Sequence, residues 1–228
     1  HYGVKTGFNK AFVIDDKTRT SLIEEDSNSS GIINRLAVGD DIRKWCIKDK
    51  SRWLIVTPIG INIKEYPAIF KHLQQWQREL EKRSDKGHYW WELRACSYYT
   101  AFSQPKIIYP VMAQNARFTF DNNGTFTNDK AFIIPVYDLY LLGVLNSIHV
   151  WNYLESACSE LLGKSLELRS IYMNKVPIPK ASEIEQKVIS KLVQKCLDAK
   201  GVGCEAWEKE IDIRVAKLYG FDDNYALN

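Results

Sequence analysis

The tetrapeptide Val176-Pro177-Ile178-Pro179 constrains this chain more than any other stretch. Two alternating prolines fix φ and hold the residue before each in extended backbone, so no helix runs through them. Before this punctuation, apolar runs are short and separated by Gly, Pro, Asn and Asp. After it, Ser182 and Glu185 form a capping-box pattern that opens a long helix to Lys200. Its apolar face reads Ile184, Val188, Leu192, Val193 and Cys196. Gly201-Val202-Gly203 breaks that helix, and a last one runs from about Glu205 to Tyr219 and stops at Gly220. The expected fold is mixed α/β (α+β): a core of short strands and helices over 1–180, then a helical tail over 181–228.

Within the core, Ala11–Asp15 and Trp53–Thr57 read as strands, the second stopped by Pro58. Thr18 is placed to cap a short helix through Glu25, which ends at the polar run 27–31, and residues 35–45 read as a loop turning at Gly39-Asp40. Tyr66 to Lys82 is predicted as one helix, with Pro67 in its first turn and Ile69, Phe70, Leu73, Trp76, Gln77 and Leu80 along one stripe. Lys106–Tyr109, Arg117–Phe120 and Ala131–Ile134 are predicted strands, with a turn at 121–124. One or two helices fill 138–161, and Glu167–Ile171 reads as a further strand.

Charge is informative only through its distribution. The net charge is +3. Residues 61–120 hold nine Lys/Arg against five Asp/Glu, whereas 181–228 hold seven against nine. A basic middle and an acidic end suit a protein that turns one face to a polyanion. The five cysteines are scattered, odd in number and without a C-x-x-C pair, which argues against a disulfide framework or structural zinc and favours reduced thiols in a cytosolic setting. No apolar run reaches the roughly 18 residues of a membrane span, and no signal peptide is expected. The chain opens at His1, without Met, inside what reads as a folding motif; the expectation is a segment of a longer protein.

The common catalytic signatures are missing. His1, His72, His88 and His149 show no metal-ligand spacing, and there is no G-x-S-x-G, P-loop or G-x-G-x-x-G. An amino-group methyltransferase needs a Gly-rich cofactor loop and a D/N-P-P-Y/F motif whose aromatic residue stacks on the flipped base; neither occurs. Asp15-Asp16-Lys17 matches a carboxylate-nuclease string after a strand but lacks a visible acidic partner, and Glu185-Gln186-Lys187 lies in a predicted helix.

Seven segments, in order from residue 3 to 179, resemble the TaqI-like C-terminal specificity domain of adenine-specific DNA methyltransferases and single-chain (type IIG) restriction–modification enzymes. They begin with Gly3-Val4-Lys5-Thr6-Gly7-Phe8-Asn9-Lys10-Ala11-Phe12-Val13-Ile14 and Val38-Gly39-Asp40-Asp41-Ile42-Arg43-Lys44-Trp45, where Val38 replaces the family's usual Arg. Next come the helix pattern from Pro67 to Arg83, then Trp90-Trp91-Glu92-Leu93-Arg94, and Phe102 through Pro110. Leu141-Leu142-Gly143-Val144-Leu145-Asn146-Ser147 and the exit at 176–179 complete the set.

The resemblance implies a target-recognition domain that binds double-stranded DNA sequence-specifically beside a methyltransferase catalytic domain. No cofactor is expected in this chain; S-adenosylmethionine belongs to the parent's catalytic domain. No membrane partner is implied, and a cytoplasmic location follows. Arg and Lys suit phosphates and guanine edges, Asn suits adenine, and aromatics suit bases or sugars. The DNA-facing candidates are Lys5, Thr6, Asn9 and Lys10 in the opening loop, Arg43 and Lys44 after the Gly39 turn, then Trp91, Arg94, Tyr98, Lys106 and Arg117. Two alternatives stand beside this reading: a docking scaffold that uses the tail helices within a restriction–modification or phage-defence complex, and a nuclease built on Asp15, Asp16 and Lys17.

Overall fold

The computed structural model describes residues 1–161 and 163–221. Leu162 and residues 222–228 of the expected tail lie outside the described residues.

The amino-terminal half begins with a one-turn helix α1 (Asn9–Phe12), strand β1 (Val13–Asp15) and helix α2 (Asp16–Glu25). The expected strand at Ala11 therefore starts two residues late: the Ala11 N–H closes a turn on the Phe8 carbonyl (3.3 Å), which swings Phe12 fully inward. Asp15, not Thr18, caps α2, its carboxylate accepting the Thr18 N–H at 2.8 Å. The chain continues through β2 (Ile33–Ala37), a tight hairpin of β3 (Ile42–Arg43) and β4 (Cys46–Ile47), and β5 (Arg52–Ile55). Strands β1, β5 and β2 pair antiparallel in that order.

The predicted helix over 66–82 is two helices, α3 (Pro67–Gln74) and α4 (Gln77–Lys82). At the joint the Gln75 and Trp76 N–H groups bond back three residues instead of four. Tightening of that kind ends a helix without losing its phase. Leu73 and Leu80 therefore still face one core, and the stripe reads as continuous in the sequence.

Helix α5 (Tyr99–Ser103) leads into β6 (Lys106–Pro110), then β7 (Met112–Ala113), β8 (Thr119–Asp121), β9 (Phe126–Thr127) and β10 (Ala131–Ile134). Strand β9 adds to the first sheet, parallel to β2. Strands β10, β6 and β8 form a second, antiparallel sheet, and it divides the molecule. Side chains alternate across a strand. Ile108, Ala131 and Ile133 enter a core with Phe12, Leu54, Ile69, Leu73 and Phe102. Their neighbours Ile107 and Tyr109 enter a second core with Phe118, Leu142, Leu154, Val193 and Val215. All five residues of β6 are buried because both faces are covered.

The second core is roofed by helices. These are α6 (Leu139–Leu145) and α7 (Ile148–Ala157), then α8 (Ser170–Met173), α9 (Glu183–Asp198) and α10 (Glu205–Leu218). Between α7 and α8, β11 (Glu160–Leu161) pairs antiparallel with β12 (Ser165–Glu167), which pairs in turn with β7. The strand expected over 167–171 stops at Glu167; the Tyr172 and Met173 N–H groups both bond the Arg169 carbonyl and wind α8 instead. Ser182 caps α9 as expected, accepting the Glu185 N–H at 3.2 Å. The buried residues of α9 are Ile189, Val193 and Cys196, while Ile184 is 76% exposed, so the helix is rotated from the phase read in the sequence. Gly143 of α6 sets that phase. A Cβ there would come within 2.8 Å of Ile189 and 2.9 Å of Val193, so the two helices meet at a position that only glycine fits.

Candidate nucleic-acid interface

The β3–β4 hairpin, the loop before β8, the start of α7 and the α9–α10 turn enclose a cleft of about 580 Å³. Its wall holds Arg43, Lys44, Lys48, Arg117 and Lys200, with Asp212 as the facing carboxylate.

The hairpin is fixed at its tip. Trp45 takes a positive φ of 71° and is buried in the second core, and its indole N–H donates to the Glu208 carboxylate of α10. The other Glu208 oxygen lies 3.2 Å from the Lys44 ammonium, which also sits 5.5 Å over the Trp45 ring. Gly201 lets the α9–α10 turn abut this tip: a Cβ there would stand 3.1 Å from the Lys44 carbonyl, and its φ is +79°. The G-V-G string is thus a helix breaker and also a contact point.

Lys44 is the paired cation of the cleft. The Arg43 guanidinium donates to the backbone carbonyls of Asp40 (2.6 Å) and Ile42 (2.8 Å), and Arg117 donates to the Asn115 side-chain carbonyl (3.0 Å). Arg43, Lys48, Arg117 and Lys200 make no ion pair among the described residues. Asp212 is the one carboxylate that faces them among the described lining residues. Its carboxylate accepts the Ile148 N–H at 2.9 Å, and burial raises its pKa above the ordinary carboxylate value. The result is a concave surface with an uncompensated positive charge, suited to a polyanion.

The other sequence-predicted residues are placed differently. Lys5 and Arg94 converge on Asp85, at 2.9 and 3.4 Å. Thr6 is buried and its hydroxyl donates to the Asn9 side-chain carbonyl (2.6 Å). Lys10 is exposed on α1. The Trp91 ring lies flat on Tyr89, with centroids 4.6 Å apart, and Tyr98 stacks on His1 at 4.4 Å. None of these residues lines the cleft. Lys106 is a correction to the surface reading: it is fully buried on β6 opposite Asp121, its ammonium 2.6 Å from that carboxylate and 2.5 Å from the Phe102 carbonyl. It has no surface to offer a ligand.

The opening stretch is built into the frame. Buried Arg83 donates to the carbonyls of Thr6 (2.5 Å), Trp90 (2.8 Å) and Glu92 (2.5 Å), and desolvation brings its pKa down to about 10 while leaving it charged at neutral pH. The Glu92 carboxylate accepts the N–H groups of Gly60, His88 and Tyr89 at 2.7–3.0 Å. Asn146 clamps the residue before β8, exchanging two hydrogen bonds with the Phe118 backbone. Lys48, Asn115 and Lys200 were missed as cleft residues. No local pattern marks them, and Lys200 lies in a segment whose net charge is negative.

The carboxylates of the nuclease string are engaged elsewhere. Asp15 caps α2, and Asp16 accepts the Trp53 indole N–H at 2.6 Å; these hydrogen bonds, with Thr18 and Trp53 first, hold both pKa values below the ordinary range. Among the described residues, no three His, Cys, Asp or Glu side chains are grouped to hold a metal ion, and no helix is long and apolar enough to cross a membrane. All five cysteines are free thiols, and burial pushes that of Cys196 up to about 12.

The fold is similar to that of a Type IIL restriction-modification enzyme, MmeI, solved in complex with DNA. The match has a TM-score of 0.73 at 17% identity and covers 97% of this chain, which spans 32% of that enzyme's length. At that identity the likeness concerns the fold. The sequence model of the TaqI-like C-terminal specificity domain matches residues 35–178, which takes in the hairpin, the β10–β6–β8 sheet and the exit at Val176 but not the opening stretch. With that match running over more than half of its length, the chain belongs to the TaqI-like C-terminal specificity domain family.

Proposed function

We propose that this chain is a DNA target-recognition domain that grips duplex DNA through the cleft beside the β3–β4 hairpin and does no chemistry itself. The observation that carries this reading is the set of cations in the cleft, four of them without an acidic partner among the described residues. Phosphate contacts by such residues release counterions and give affinity that falls steeply with salt. The family supports the same role. In this proposal the parent protein is an adenine-specific methyltransferase or a fused restriction–modification enzyme in the cytoplasm, with S-adenosylmethionine bound in its separate catalytic domain.

Fluorescence anisotropy with a random duplex pool, at low and moderate salt, tests the proposal. Binding that weakens with salt, and weakens further in Arg43→Ala and Arg117→Ala, supports it. Absence of binding at low salt rejects it. A docking scaffold is the second reading, favoured by the exposure of Ile184 (76%) and Ile178 (40%) where the tail begins.

A further inference from the structure

A second groove, of about 600 Å³, lies across β4 from the cleft and shares Cys46, Lys48 and Lys200 with it. Its chemistry is different. Its Arg35 is ion-paired with Asp49, and Gln194 is tied to Asp198 by a 2.8 Å hydrogen bond. Beside Lys48 and Lys200, which also line the first cleft, the groove presents the amides of Asn122 and Asn123, both exposed and both without a hydrogen bond among the described residues.

These two side chains stand on a short loop between β8 and β9 whose base is pinned from inside. Asp121 is buried, and its carboxylate accepts the Lys106 ammonium (2.6 Å), the Thr125 N–H (3.0 Å) and the Thr125 hydroxyl (2.7 Å). Gly124, at φ +70°, closes the turn. Such a loop loses little conformational freedom on binding. Buried Lys106 thus holds the base of the loop that carries the two amides.

Phosphates need net charge, which the cleft supplies. Base edges need a donor and an acceptor fixed side by side, and a side-chain amide offers that pair to the N6 and N7 atoms of adenine. Resting on the DNA-recognition reading above, we infer that Asn122 and Asn123 are specificity-determining residues that read adenine in the major groove, while the neighbouring cleft holds the phosphate backbone.

The test is selection of bound sequences from a randomised duplex pool by the full chain, followed by affinity measurement. The unmodified protein is expected to enrich adenine at one or two positions. The double variant Asn122→Ala/Asn123→Ala is expected to bind the unselected pool within about twofold of the unmodified protein, to lose that enrichment, and to bind the selected sequence about tenfold more weakly. Lys48→Ala is expected to weaken both kinds of DNA alike. Unchanged enrichment in the double variant, or no adenine in the selected sequences, overturns this inference and leaves the recognition reading standing. No salt-dependent binding by the unmodified protein overturns both.

Discussion

The cations of the cleft and those around the opening loop differ in their company. Lys5 and Arg94 share one carboxylate, and Arg83 is buried among carbonyls. Arg43, Lys48, Arg117 and Lys200 converge on one concavity, where Asp212 is the one carboxylate among the described lining residues. A positively charged residue becomes a positive surface only where its neighbours leave the charge uncancelled. Around the opening loop, Lys5, Arg83 and Arg94 are held by the chain's own groups, whereas four cations of the cleft have no ion pair among the described residues.

The largest effect that sharpens this contrast is on stability. Lys106→Met strands Asp121 in the interior and is expected to cost about 3–5 kcal/mol, whereas Arg43→Ala is expected to stay within about 0.5 kcal/mol. Urea unfolding midpoints measure both, and comparable losses would break the distinction between framework and surface cations.

DNA affinity gives the next effect. Arg43→Ala/Arg117→Ala is expected to lower binding to random duplex by about 10–100-fold and to reduce the salt slope by about 2. Lys5→Ala/Arg94→Ala, measured in the same titration, is expected to change affinity less than about threefold because those charges are already paired. A reversed order would move the interface to the opening loop. A smaller gain is expected from Glu208→Gln, which frees Lys44 while keeping an acceptor for the Trp45 indole; binding should tighten about two- to fivefold at low salt, with the gain fading as salt screens it.

The smallest effect is a pH dependence confined to the framework side. His72 reaches the Ala11 carbonyl at 2.9 Å, and burial holds its imidazole below the ordinary value of 6.5. As pH falls below 6.5 the unfolded chain takes up the proton first, so the unfolded state binds more protons and stability declines until the folded value is passed. Thermal melts from pH 7.5 downward should show that decline, flattened in His72→Gln.

Local signals carried the reading where one pattern sufficed. Ser182 capping α9, the strand Ala131–Ile134 and the stop at Gly220 follow from short-range chemistry and appear as expected. Of the predicted contact residues, Arg43, Lys44 and Arg117 meet in one cleft. The misplacements have a common cause in long-range packing. The break at Gln75–Trp76 accompanies the packing of Trp76 on Phe8 (5.6 Å), and the rotation of α9 is set by Gly143 of α6.

The sequence by itself determined the mixed α/β class, the helical tail and the family, because each rests on residues near one another in the chain or on an ordered set of motifs. Only the tertiary structure decided which cations are left uncompensated. Lys106 is cancelled by a carboxylate 15 positions away, and the Arg83 guanidinium is held by a carbonyl 77 positions away. The hairpin that shapes the cleft is tied by Trp45 to Glu208, 163 positions along the chain. Coulomb energy depends on distance in space and on the local dielectric, and separation along the chain encodes neither.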